Sequence, residues 1–439
     1  MPETDTDITT GDALRILDLP DNFTIGLDMM TMTTTSSLRG FREIPPGAHF
    51  LWVQQSGAPF RSGYWFITKY RRAEFRIIKW DKFNEVLANA TPGEKDAVER
   101  GHKTLTPYTL DGLSSSKTRS SGQAVLDHSL ALGGSSQPLW SQGTASLWAT
   151  LTDNIVPASL SRVTSQPLGH GAHVDSTTDH RRDSPPEAGT TATADCSTQF
   201  NIVSLDAWEK FTTGYNGVRP NGDEPNEVQM RELLSDLQFT FLTGTLLTNL
   251  ACLQQWWKLV LNVVLKSWHL AQKRHEFVSD MLTILHAQLY FTEVCLEGDD
   301  TPGSTGGVGK GKSKTSSGPN PERVLYQVKR GNMEELRKAL GICKREIETR
   351  VQRWPGTQNP FAEARRTFEE LEFFLFGLGW DLKGRDLVQG RKDDEKYSSN
   401  EDEGGDEDAG WNSEEDDDEP VIVELDEEGR EVGLVSFHD

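Results

Sequence analysis

The sequence predicts an α+β protein. An N-terminal antiparallel β-sandwich or barrel-like domain precedes a C-terminal all-α helical bundle, with disordered inserts and an acidic tail. Three observations predict this. Short aromatic and β-branched runs recur at intervals of about 8–14 residues between residues 12 and 110, as in an all-β module. From Glu227 onward, apolar residues recur with the period of a helix face. Four segments (111–143, 164–200, 298–320 and 385–419) are too rich in Ser, Gly, Thr, Pro or acid to offset the entropy of ordering, about 1–2 kcal/mol per residue.

The boundaries follow from these shifts. A β-rich domain spans 12–163 with an insert at 111–143, and a linker spans 164–200. A helical domain spans 201–384 with a loop at 298–320. An acidic spacer (385–419) leads to a β-prone tail (420–439).

Within the first domain, LRILDLP reads as a short strand ended by Pro20, and Ile25–Asp28 follows a turn at Asp21-Asn22. Pro45-Pro46-Gly47 punctuates the chain before a strand over Ala48–Val53. Gly63–Thr68 and Phe75–Trp80 are two further strands, and residues 144–163 form a closing helix. In the second domain Met230, Leu233, Leu234, Leu237 and Phe241 line one helix face, with Pro225 suited to the first turn. Residues 245–270 are apolar nearly all round, which predicts a continuous helix central in the bundle. Residues 275–296, 321–353 and 360–380 supply the remaining helices. In the tail, Val421–Leu425 and Val432–Phe437 are two β-prone runs around a turn at Asp426–Gly429.

Charge excludes some functions. The 439 residues carry a net −22, but residues 393–439 alone hold 21 acidic groups against Lys396 and Arg430. The body is therefore close to neutral, unlike a protein that coats nucleic acid through a basic field. Four widely spaced cysteines fit reduced thiols, with no disulfide framework or zinc finger. The polar start MPETDTDITT is not a secretory signal, so an intracellular protein is expected. Leu246–Leu265, the most apolar stretch, contains Asn249, Gln254, Gln255, Lys258 and Asn262, too many polar groups for a bilayer span.

Few motifs carry chemistry. Gly306–Ser313 matches the phosphate-loop pattern, which needs a buried strand before it and a helix after it. Its flanks GDDTPGST and KTSSGPNP suit neither, so it reads as a linker matching by composition; a nucleotide hydrolase using 306–313 is the alternative. His269, His275 and His286 form no H-E-x-x-H, and no nucleophile elbow occurs, so no catalytic, metal or cofactor site is expected. His49 lies in a predicted strand, in the core or on the surface. Lys69-Tyr70-Arg71-Arg72 with Arg76 and Lys79 is basic and aromatic, a second alternative as an RNA-binding module over 69–80. Its simpler reading is a polar hairpin connection. Trp256-Trp257 reads as bundle core. The tail strand suits addition to the open sheet edge of another protein, because unpaired backbone groups and alternate apolar side chains are what edge addition uses.

Several segments, in order, resemble one family. LDLPDNFTIGLD, GFREIPPGAHFLW and GYWFITKYRRAEFRIIKWD are similar to the N-terminal domain of the a1-cistron splicing factor family. LQFTFLTGTLLTNLACLQQWWKLVLNVVLKS and FVSDMLTILHAQLYF resemble its helical domain, and DEPVIVEL resembles its terminal tail. The resemblance implies a non-enzymatic assembly factor of the U5 small nuclear ribonucleoprotein, present in cytoplasm and nucleus. Such a factor binds the RNase-H-like and MPN-type domains of the large U5 scaffold protein and holds it apart from an RNA helicase. It implies that Val421, Ile422, Val423, Glu424 and Leu425 add as a strand to the partner's sheet. The four inserts, the spacer and residues 426–439 depart from the family pattern. Ser304, Ser313, Ser316 and Ser317, in the Lys-flanked loop, are candidate regulatory phosphorylation sites.

Overall fold

In the computed structural model the described residues are 11–69, 74–97, 104–110, 143–167, 171–176, 200–203, 208, 226–296, 323–329, 331–354, 359–382, 423–425 and 431–434. The β-prone runs of the N-terminal region become strands β1 (Asp12–Leu17), β2 (Thr24–Leu27), β3 (Met30–Thr33), β4 (Gly40–Ile44), β5 (Gly47–Gln54), β6 (Arg61–Thr68), β7 (Phe75–Asp81) and β8 (Val86–Asn89). A short helix α1 (Pro92–Ala97), strand β9 (Thr106–Pro107) and strand β10 (Ala172–Asp175) follow. They build two five-stranded sheets, ordered β8-β7-β1-β4-β9 and β10-β6-β5-β2-β3. Pairing is antiparallel except between β1 and β7 and between β4 and β9.

β10 corrects the expectation of an unpacked linker over 164–200. Ala172–Asp175 pairs with Trp65–Ser62 of β6, and Ala172 and Val174 are buried. The segment is short and carries only two apolar residues, so its composition hides a strand that a neighbouring edge makes stable.

β5 and β6 are buried along nearly their whole length rather than on alternate residues. Each lies between two neighbours in its sheet, and helices cover the outer face. Trp148 Nε1 of α2 (Thr144–Thr152) donates to the Ala48 carbonyl at 3.0 Å. The single helix expected over 144–163 is two, because the chain turns at residues 153–156 and restarts with Pro157 in the first turn of α3 (Pro157–Thr164).

The helical region comprises α4 (Glu227–Leu247), α5 (Leu250–Asn262), a 3₁₀ segment (Val264–Gln272), α6 (His275–Tyr290) ending in a π-turn (Phe291–Cys295), α7 (Val324–Gln327), α8 (Asn332–Arg353) and α9 (Ala362–Gly377). α4 starts with a reciprocal cap: the Gln229 N–H donates to the Asn226 side chain, and the Asn226 N–H donates to the Gln229 side chain, both at 2.9 Å. Pro225 lies outside the described residues.

The continuous helix predicted over 245–270 is corrected. Thr248 adopts a left-handed conformation (φ 55°), and the Asn249 side chain accepts the Cys252 N–H at 3.0 Å, capping a new helix. A second interruption at Val263 passes into the 3₁₀ segment. The central helix is instead α4, where every residue from Leu233 to Leu247 is buried. Buried polar residues on it, Asp236, Gln238, Thr240, Thr243 and Thr245, are paired. Gln238 donates to the Thr150 carbonyl at 2.8 Å and to Asp153 Oδ1 at 2.5 Å, and accepts from the Asn154 N–H at 3.0 Å.

The β and helical regions share one hydrophobic core, running from Leu14 to Leu382 within a compact unit of residues 1–387. Phe50, Trp65 and Phe239 stack across the junction, with centroid separations of 4.6 and 5.9 Å. Trp65 Nε1 donates to Thr243 Oγ1 at 3.1 Å, Arg61 Nη1 to the Leu246 carbonyl at 2.7 Å, and Asn249 Nδ2 to the Asp175 carbonyl at 2.9 Å. The β10-β6-β5-β2-β3 sheet thus meets the bundle.

Residues 388–439 form a second unit. Its described residues are strands β11 (Val423–Leu425) and β12 (Glu431–Leu434), paired antiparallel. No helix among the described residues is long and apolar enough to cross a membrane.

Candidate interaction site

Of the five tail residues expected to bind a partner, Val423, Glu424 and Leu425 form β11; Val421 and Ile422 lie outside the described residues. Val423 pairs with Leu434, Glu424 with Gly433, and Leu425 with Glu431, with an irregularity between Glu424 and Leu425. Of the second β-prone run, Val432–Leu434 falls in β12, which covers one edge of β11; residues 435–437 lie outside the described residues.

The basic stretch at 69–80 is divided. Tyr70, Arg71 and Arg72 lie outside the described residues. Arg76 faces inward: its Nη2 donates to the Ile67 carbonyl at 2.8 Å and to Glu74 at 2.7 Å, and its guanidinium lies 5.8 Å from the Phe66 ring. Lys79 donates to Glu94 at 3.0 Å. Both cations are occupied by the protein's own acceptors. Beside Arg76 a hollow of about 220 Å³ opens between β6, β7 and α3, floored by Phe66 and Leu160. Gly171 borders it at φ +75°, where a Cβ would fall 2.4 Å from the Tyr64 hydroxyl, so the chain needs glycine to enter β10 there.

A second hollow of about 400 Å³ lies where α4 and α6 begin, lined by Met230, Arg231, Leu234, Lys273, His275 and Asp280 among others. Burial, with the nearby charges of Asp153, Glu276 and Glu363, pushes Asp280 up to about 6. His275 sits 3.8 Å from Glu363. The lining carries both cations (Arg231, Lys273, Arg274) and carboxylates (Glu227, Glu276, Asp280).

His49 is core. It is 2% exposed, and its Nδ1 donates to Asp28 Oδ2 at 2.7 Å while Nε2 donates to the Pro45 carbonyl at 2.8 Å. The Tyr108 hydroxyl (2.5 Å) and the Phe50 N–H (2.8 Å) also donate to Asp28. The carboxylate ties β5 and the segment after β9 to the end of β2, and it is fully buried. The sequence reading missed this network, since Asp28, His49 and Tyr108 are far apart in the chain. Trp256 and Trp257 are core, their indole N–H groups held by Gln288 and the Leu325 carbonyl at 2.7 Å each.

Burial pushes the thiols of Cys295 and Cys343 up to about 12, and that of Cys252 higher still. Cys196 lies outside the described residues. Burial pushes His286 down to about 3, so it stays neutral in the core. Among the described residues no group of three or more His, Cys, Asp or Glu side chains is placed to hold a metal ion.

Gly306–Ser313 and the serines Ser304, Ser313, Ser316 and Ser317 lie outside the described residues. The ends of that insert are anchored. The Leu296 N–H donates to the Phe291 carbonyl at 3.1 Å, and Arg323 Nη2 reaches the Glu293 carbonyl at 3.4 Å. The described elements on either side, the π-turn and α7, are helical, where a phosphate loop would need a strand on its N-terminal side.

The most distinctive feature is thus a two-region body with a shared core and a short β-ribbon in a separate acidic unit. Comparison with curated proteins gives no match. Two family models match: the AAR2 N-terminal domain over residues 10–165 and the AAR2 C-terminal repeat region over residues 172–383. The gap between them, residues 166–171, falls immediately before β10, and together they span most of the chain and both regions of the body. The chain belongs to the AAR2 family.

Proposed function

We propose that this chain is a non-enzymatic assembly factor for the U5 small nuclear ribonucleoprotein in pre-mRNA splicing. It binds the RNase-H-like and MPN-type domains of the large U5 scaffold protein, in cytoplasm and nucleus, and keeps the scaffold from its helicase until release. Family membership is consistent with a splicing-related role in U5 assembly, and the match over both regions of the body carries the reading.

The body supplies a rigid surface and the tail supplies backbone. Strand addition by Val421–Leu425 yields a few hydrogen bonds of about 1 kcal/mol each, less the cost of ordering the tether. The acidic spacer repels itself, keeps the tail extended, and competes with RNA for basic scaffold surface. A phosphate on Ser304, Ser313, Ser316 or Ser317 adds about −1.5 to −2 charge and weakens the interface, giving a release signal.

The test is the affinity of the full chain and of a chain ending at Asp418 for the scaffold fragment containing both domains. Weaker binding by the shorter chain is expected; equal binding dismisses the tail. Nucleotide turnover that disappears in Lys312→Ala would instead favour a hydrolase.

A further inference from the structure

We infer that the tail docks as a preformed two-stranded ribbon: β12 holds β11 extended, and the outer edge of β11 pairs with an open sheet edge of a partner protein. This rests on the tail reading proposed above and adds to it a role for Glu431–Leu434.

The pairing carries the inference. A strand has two edges, and three register pairs commit one edge of β11 to β12. Among the described residues no strand occupies the other. A two-stranded hairpin is marginal in water, and a third strand is what makes so small a sheet stable. Gly433, opposite Glu424, weakens the ribbon further, so the hairpin gains most where a partner adds its own edge.

The partner's chemistry follows from charge. Residues 393–439 hold 21 acidic groups against two basic ones. That field repels phosphate backbones, so the occupant is a protein, and one with basic surface beside its sheet edge. β12 also does two things a lone strand would not. It biases β11 toward the extended form before encounter, which removes part of the ordering penalty of binding. It also closes the edge on which a second copy of the tail would otherwise pair.

The test compares four full-body chains by calorimetry against the isolated scaffold fragment containing the RNase-H-like and MPN-type domains. They are the full chain, a chain ending at Asp426, a chain ending at Asp418, and a Val432→Pro/Gly433→Pro double variant. Successive N–H groups along a strand alternate between its edges, so the double variant removes one that faces β11. The Asp426-ended chain and the double variant are each expected to bind roughly tenfold more weakly than the full chain. Full affinity in the Asp426-ended chain, with loss only on cutting at Asp418, overturns the ribbon and leaves the tail reading standing. Full affinity in the Asp418-ended chain overturns both. Tighter binding by the double variant, or weakening on truncation that the double variant does not share, also overturns the ribbon.

Discussion

Both ring nitrogens of His49 face acceptors, Asp28 and the Pro45 carbonyl, and only the doubly protonated ring satisfies both. Burial opposes that charge, but the Asp28 carboxylate and the two hydrogen bonds outweigh it and raise the pKa of His49 above 6.5. A raised histidine stabilises the fold fully below its unfolded pKa, and that contribution is lost as pH rises through the folded value. Unfolding free energy should therefore fall as pH is raised above about 6.5, by at most ~1.4 kcal/mol per pH unit from this group. Urea titrations of the wild type and His49→Gln from pH 6 to 9 check it; the same slope in both would refute the assignment. Asp28→Asn breaks a buried pair while keeping its shape, and a loss of about 3–5 kcal/mol is expected. None of this was legible in the sequence, because the three side chains meet only when the β2–β3 and β4–β5 turns and Tyr108 converge.

At the scale of elements, the break after α4 depends on Gly244. A Cβ there would lie 2.7 Å from Leu253 Cδ2 and 3.1 Å from the Leu253 backbone nitrogen. Alanine would gain about 1 kcal/mol of helix propensity, yet overpacking between two buried helices costs about 1–3 kcal/mol, and the backbone atom cannot swing aside. Gly244→Ala should lower the melting temperature; a rise would show that α4 and α5 can separate freely. The helical period from Glu227 was readable because one face is apolar. What it could not show is that Gln238, Thr240 and Thr243 on the other faces are buried too. They are tolerated because Thr150, Asp153, Asp236 and Trp65 supply their partners. Likewise the apolar run 245–270 gave no sign of its two breaks, since Thr248 and Asn249 act through backbone conformation and capping rather than hydropathy.

For the whole molecule, the two regions behave as one body because their junction is apolar and hydrogen-bonded. Trp65→Phe keeps the ring contacts with Phe50 and Phe239 but strands the Thr243 hydroxyl, and a loss of about 1–2 kcal/mol is expected. Unfolding should remain a single transition followed by fluorescence and by circular dichroism; two separated transitions would mean the regions fold independently. The insert between Leu296 and Arg323 leaves and returns at anchored ends, and loop closure depends only weakly on length. Replacing residues 300–320 with a short Gly/Ser linker should leave the melting temperature within about 2 °C of the parent, by calorimetry. A large drop would mean that the insert packs on the body.

Fold class, the order of the β and helical regions, the acidic terminal segment with its β-prone tail, and the family were all readable along the chain. These are local or cumulative properties: hydropathy period, turn punctuation, charge density and ordered segments along the chain. Folding in three dimensions alone makes α4 the central helix, brings Ala172–Asp175 into a sheet, buries His49 against Asp28, and gives β11 a neighbour in β12. Each depends on atoms distant in sequence brought within hydrogen-bonding or van der Waals reach, and that proximity leaves no periodic trace in the chain.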